Sequence, residues 1–345
     1  MSPNLTCSDV FAGTFLISFG VCGIVIHFIV LYAMFQLCRE IVGFRFLISQ
    51  GFADIFLMVQ FGVWPGIVIL MQDEVFPVEI RWHVHIYLDF TWWAMVYHYP
   101  IVAWSRLAAI YWPNWFRCLK HRPCLLIVSI AWITGLLQSL IEHQFPWFVS
   151  LYFDPKAYGM NADWAKYSAD GTAQYYLLIN VTSMILPFPF YGAAIYILLR
   201  RQDKQLISPN RKRRSVSTSS TIQAQRQISI ETRLLIPCII NTILFVVGQL
   251  CINIGSRVEG KWVKWLVMVI LAANSFVNPL LYLTFSSVIR RQLISDWEIT
   301  QTPPPFSLQQ NSDYPSSSGS VALHHTHYRR PSVVRLTKQR SGEDI

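Results

Sequence analysis

Asn274-Ser275-Phe276-Val277-Asn278-Pro279-Leu280-Leu281-Tyr282 lies inside the last long apolar stretch of the chain, residues 263–287. That stretch supplies the ~20 mostly apolar residues a helix needs to cross a hydrocarbon layer ~30 Å thick at ~1.5 Å per residue. Asn274, Asn278 and Tyr282 recur every four residues, so they share one helix face. Pro279 removes a backbone donor beside that face and permits a kink. Spacing alone leaves two readings equally open: a moving part, or a polar seam that orders a helix bundle.

Working outward, six more stretches have the same character: 10–35, 44–71, 84–111, 123–145, 173–199 and 232–254. With 53% hydrophobic and only 14% charged residues, two soluble domains are excluded for the 345-residue chain. The third stretch is the least obvious, because it holds His85, Asp89 and His98. The sixth is punctuated by Asn241, Gln249 and Asn253. Polar residues at such depth face other helices or a water-filled cavity. The expected fold is an all-α membrane protein: a seven-transmembrane-helix bundle over 10–293, preceded by an extracellular segment 1–9. A short amphipathic helix follows the seventh span. Residues 201–230 read as a basic, Ser/Thr-rich inner loop, and 294–345 as a disordered tail rich in Ser, Pro and Gln. The N-terminal segment lacks the basic start of a signal peptide.

The net charge of +9 does not point to nucleic acid, because its placement follows the membrane. Of the 28 Lys and Arg, all but Arg81, Lys156, Lys166, Arg257, Lys261 and Lys264 fall on one side of the spans. That side is cytoplasmic by the positive-inside rule, so the N-terminus is outside and the C-terminus inside, with the plasma membrane as the expected location. Asn4-Leu5-Thr6 is then an outward glycosylation acceptor, while Asn180-Val181-Thr182 is silent inside the fifth span. The seven cysteines show no metal-ligand spacing, and no metal site is expected.

Asp54 lies ten residues from the inner end of the second span, ~15 Å deep, and Asn278 lies at a similar level of the seventh. A carboxylate there needs partners, an ion or a proton. Asn274, Ser275 and Asn278 are at the right depth, with a sodium ion as the one small cofactor to consider. A protonated, structural Asp54 is the alternative. At the inner end of the third span stands Ser105-Arg106-Leu107-Ala108-Ala109-Ile110-Tyr111-Trp112-Pro113. Arg106 is either a snorkelling anchor or one half of a latch, with Glu231 at the start of the sixth span as the partner that breaks away on activation.

In order along residues 10–293 these features resemble a rhodopsin-like G-protein-coupled receptor, and among those the divergent nematode serpentine chemoreceptors. The resemblance rests on Ala53-Asp54, Ser105-Arg106-Leu107 with Ala109-Ile110 and Pro113, Trp132, Asn274-Ser275, and Asn278-Pro279-Leu280-Leu281-Tyr282. Arg290 and Arg291 follow, as in the family's inner amphipathic helix. The departures are His27 for the first-span Asn, Ser105 for an Asp, and Gly248-Gln249-Leu250-Cys251 where the sixth span usually carries Cys-Trp-x-Pro. The register that aligns Phe245 also puts Glu231 where the family keeps its latch acid. The family's outer disulfide is absent, since 72–83 and 146–172 hold no Cys; Cys7 with Cys251 is the remaining outer pair. No Lys stands where a retinal Schiff base would form.

The resemblance implies a ligand pocket between the outer halves of spans three, five, six and seven, bordered by His85, Asp89, Trp92, Trp93 and Gln249. An acid among aromatics can hold a cation, but Leu88 stands where the family's amine-binding acid would. The plainer reading pairs Asp89 with His85 or a neighbouring helix. The inner face would meet a heterotrimeric G protein through Arg106, the 112–122 loop, the 201–230 loop and the last helix. Ser215 and Ser332 follow basic runs that suit kinases, with arrestin as a later partner. The same runs suit attraction to anionic lipid. The functional expectation is a chemosensory receptor for an extracellular small molecule or peptide. The rival is a channel or transporter using Asp54 and the seventh span. It would carry inverted repeats, which are not evident. No hydrolase or zinc-protease motif supports an enzyme.

Overall fold

The computed structural model describes residues 5–207, 219–255 and 260–301. Asn4, Ser215 and Ser332 lie outside the described residues, as does the side chain of Glu231.

Seven long helices form the bundle: α1 (Cys7–Leu37), α2 (Gly43–Met71), α3 (Arg81–Tyr111), α4 (His121–Glu142), α5 (Thr172–Ile185, resuming as Pro187–Ile207), α6 (Ser219–Gly255) and α7 (Lys261–Phe285). An eighth, α8 (Ser287–Gln301), follows. Helix α1 starts where Thr6 and Asp9 cap it reciprocally: Asp9 N–H donates to Thr6 Oγ1 at 3.3 Å, and Thr6 N–H donates to Asp9 Oδ2 at 2.7 Å. Six of the seven are long and apolar enough to cross a membrane by composition. Helix α3 equals α1 in length, at 31 residues, but is more polar. Its position explains that. It packs against α2, α4, α5 and α6, so it meets protein on nearly every side. His85, Asp89, Thr91, His98, Ser105 and Arg106 are all buried in it. Large apolar side chains on the other helices, among them Phe28, Leu126, Ile133, Leu178 and Val247, stay exposed and form the outer surface that lipid would cover.

Small residues set the tightest crossings. A Cβ on Gly62 of α2 would stand 2.9 Å from Gly20 Cα of α1. One on Gly135 of α4 would stand 2.7 Å from the Ala94 nitrogen of α3. Without large side chains the backbones touch, which substitutes dispersion for the hydrophobic drive that lipid cannot give. Helix α2 winds through a π turn at Val59–Val63 just before Pro65, whose ring and missing donor disturb a regular ladder.

Two expectations need correction. Residues 201–230 are not simply a loop, because α5 runs to Ile207 and α6 begins at Ser219. These turns are polar, so an apolar-run criterion ended both helices too early. Likewise 294–301 is helical: Ile289, fully buried, and Leu293 seat α8 against the inner core, and Arg290 donates to the Leu283 carbonyl at 2.7 Å at the end of α7.

Between α4 and α5, β1 (Tyr152–Asp154) and β2 (Gly159–Asn161) form a hairpin in the register Phe153↔Met160. Asp154 Oδ1 accepts from Lys156 N–H at 2.9 Å and closes the turn, with Tyr158 left-handed at φ 58°. Tyr158 points its hydroxyl at Asp9 and donates to it, and Lys261 lies 4.8 Å from its ring centroid. The hairpin is thus pinned to the outer ends of α1 and α7. All seven cysteines are free, so Cys7 and Cys251 carry no mutual bond here.

Candidate functional site

In the inner half, Asn278 Nδ2 donates to Asp54 Oδ2 at 2.7 Å, and both residues are buried. Ser275 faces the same carboxylate. His27 Nε2 approaches Asp54 Oδ2 to 3.9 Å. Its Nδ1 pairs with the Gly23 carbonyl at 2.9 Å, which requires the proton on Nδ1 and leaves Nε2 with a bare lone pair aimed at a carboxylate. No Lys or Arg pairs with Asp54 among the described residues; a proton shared with His27, or a small cation held by the oxygens of Asp54, Ser275 and Asn278, whose Oδ1 makes no hydrogen bond, would balance the carboxylate. A small void lies beside these groups, lined by His27, Gln50, Asp54, Asn278, Pro279 and Tyr282. Asn274 is turned elsewhere: a Cβ added to Gly248 of α6 would run into its amide. The stripe expected on α7 therefore divides between α2 and α6.

Arg106 is fully buried at the inner end of α3 and donates to the Gly43 carbonyl of α2 at 2.9 Å. It lies within electrostatic reach of Tyr191 on α5 and Tyr282 on α7. Tyr191 in turn meets Thr242 Oγ1 at 3.3 Å and Tyr282 meets Cys238 Sγ at 3.9 Å, so α3, α5, α6 and α7 converge around this guanidinium. The neighbouring Ser105 hydroxyl donates to the Val102 carbonyl at 2.7 Å. The expected Glu231 partner lies outside the described side chains.

The outer candidates separate into two groups. His85, Asp89 and Trp93 are buried together against α4 and α5. Asp89 accepts from the Tyr176 hydroxyl on both oxygens at 2.8 Å, and Trp93 Nε1 donates to Glu142 Oε1 at 3.0 Å. His143 Nε2 pairs with His85 Nδ1 at 2.8 Å, and His143 Nδ1 with the Ser139 carbonyl at 2.8 Å. Trp92 instead packs between Phe61 and Phe245 toward the bundle centre, where Gln249 is also buried. A cleft lies between α2, α3 and the hairpin, lined by Gln60, Trp64, Leu88, Phe153 and Met160 among others. None of the five expected pocket residues lines it. In the hairpin, burial and the hydrogen bond to Asp9 push the Tyr158 phenol up to about 12.

Sequence reading missed Glu142, His143, Tyr176 and Ser49. Ser49 joins His98 Nε2 at 2.8 Å and Trp132 Nε1 at 3.0 Å, linking α2, α3 and α4. The one available signal was that Glu142 and His143 lie where α4 should leave the membrane, at the level of His85.

A family model described as a serpentine type 7TM GPCR chemoreceptor, Srv, matches residues 15–299. No curated relative matches the chain. Among solved structures the chain is similar to squid rhodopsin, with TM-score 0.69 and 13% identity over 86% of this chain and 87% of that one. At that identity the likeness concerns the fold alone.

Proposed function

We propose that this chain, which belongs to the Srv family of serpentine seven-transmembrane chemoreceptors, relays an extracellular chemical to a G protein by releasing the contacts gathered around Arg106. The family is one of receptors, and nothing favours a channel or transporter. The observation that carries the reading is Arg106 itself: a fully buried cation of α3, held by the Gly43 carbonyl of α2 where α5, α6 and α7 also converge. A buried charge is tolerated only where partners surround it, so movement of α6 or α7 would change its energy strongly.

The outer cleft beside Gln60 and Trp64 suits a small, largely apolar ligand with one hydrogen-bonding group. The Asp54 carboxylate would be balanced by a proton shared with His27 or by sodium, and either would couple the α2–α7 contact to conditions. The N-terminus would face outward with a glycan on Asn4, the plasma membrane being the site of action. Phosphate on Ser215 and Ser332, and arrestin after it, would act on the inner side.

The test is a screen of small volatile and soluble molecules on cells carrying the receptor and chimeric G-protein reporters. Arg106→Ala, matched for surface level, should lose the response to any agonist found. An undiminished response would overturn the role of Arg106.

A further inference from the structure

We propose that His85, Asp89 and His143 bind one divalent transition-metal ion of the zinc or copper class at the outer end of the bundle. The inference does not depend on the receptor reading. Among the described residues these three form a buried group whose ligand atoms all lie within 4.8 Å of one another. Asp89 Oδ2 stands 3.4 Å from His85 Nε2 and 3.8 Å from His143 Nε2. An ion at ~2.0–2.1 Å from each ligand in tetrahedral geometry sets ligand separations near ~3.4 Å, so only small side-chain shifts are needed.

The hydrogen-bond chain explains why the ligand atoms are ready. The Ser139 carbonyl can only accept, so His143 carries its proton on Nδ1 and presents a bare Nε2. That nitrogen accepts from His85 Nδ1–H. His85 Nε2 is then bare as well. It is buried, makes no hydrogen bond, and faces an Asp89 oxygen. His85 Nε2 and the Asp89 oxygen face each other, the Glu142 carboxyl is hydrogen-bonded to Asp89, and neither acid has a Lys or Arg partner among the described residues. A metal cation there would be held by both and would balance the acids. Loading exchanges the His85–His143 hydrogen bond for two metal–nitrogen bonds. The Ser139 carbonyl and the Tyr176 hydroxyl would orient His143 and Asp89 from behind, as outer partners do in metal centres. His143 stands one residue beyond the end of α4. The bound ion would clamp α3 to α4 and, through Tyr176, to α5. Three protein ligands leave a fourth position for water or a Lewis-basic ligand.

The test uses the full chain purified without a polyhistidine tag, with His324, His325 and His327 changed to Ala so that the tail does not hold ions. After chelator stripping and addition of Zn²⁺, gel-filtered protein should retain one ion per chain, and its Tm should rise. Both effects should vanish or weaken by at least about tenfold in affinity in H143Q and H85Q. If either variant is not monodisperse, Co²⁺ added to the stripped parent should give a tetrahedral visible spectrum that Zn²⁺ bleaches. No retained ion and no such spectrum, or retention equal in monodisperse H143Q and H85Q, overturns the site. Stabilisation by mild acid with no ion uptake also overturns it and assigns the charge to a proton.

Discussion

Asn278 Nδ2 donates to Asp54 Oδ2 at 2.7 Å, across 224 residues of sequence and between two helices that each leave the membrane on their own. Their polar groups have no water to turn to, so each depends on the other. Asn278→Ala should therefore destabilise the purified protein by about 1–3 kcal/mol. Asp54→Asn, which keeps an acceptor and sheds the charge, should cost less. Thermal unfolding in detergent orders the two; a larger loss for Asp54→Asn would show that the carboxylate charge, rather than the bond, is what stabilises the contact.

Ser105 gives its hydroxyl to the Val102 carbonyl beside a buried guanidinium. Ser105→Asp places a carboxylate next to Arg106 and should hold it more tightly. Basal nucleotide exchange on the G protein, measured in membranes at equal receptor level, should fall several-fold. A rise in basal exchange would mean that the new charge disrupts the cluster instead.

Trp93 donates to Glu142 in a buried setting. Trp93→Phe keeps most of the ring and removes the donor, leaving a carboxylate oxygen bare. The expected cost is about 1.5–3 kcal/mol, the range for bonds to charged groups. Glu142→Gln in the same background should recover little further loss, since the bond is already gone; additive losses in thermal unfolding would show two separate roles.

The Tyr158 phenol, pushed up to about 12, keeps its proton longer folded than unfolded, where it titrates near 10. Its stabilisation is thus whole below pH 10 and fades as the pH rises toward 12. Tyr158→Phe removes the hairpin's bond to Asp9 at every pH and should flatten that part of the decline. Hydrogen exchange at neutral pH should quicken at residues 152–161 of the variant; unchanged exchange there would mean the strand pairing suffices to hold the hairpin.

Cys7 and Cys118 are both exposed, at opposite ends of the bundle. A membrane-impermeant maleimide on intact cells should label Cys7 without prior reduction and spare Cys118. Labelling of Cys118 alone would invert the topology, and labelling of Cys7 only after reduction would restore a bond for it.

Apolar run length located every span to within a few residues where lipid meets the helix, as in α1 and α7. It failed where helices leave the membrane: Ser219–Glu231 of α6 is polar, so nothing in hydropathy distinguishes it from a loop. Depth counting brought Asp54 and Asn278 to one level, because both sit on single helices with regular rise. The same counting could not pair His85 with His143 or Arg106 with Gly43. Those meetings depend on how neighbouring helices are rotated and on where a chain turns after Glu142, and neither is written in periodicity. The proposed pocket residues divided for the same reason: a helix at the centre of a bundle has no lipid side, so its polar residues do not reveal which neighbour they face.

The π turn at Val59–Val63 has a bearing on every homology argument about the outer third of α2. One additional residue in a single turn rotates all that follows by about 100° and shifts it outward by about 1.5 Å. A correspondence carried along this helix from a chain without the π turn would therefore name the wrong neighbour beyond Val63. Gln60, Trp64 and Val68 border the cleft, within and just after this turn. Ligand preference could thus diverge between related chains through a single insertion or deletion here, with no cleft side chain exchanged.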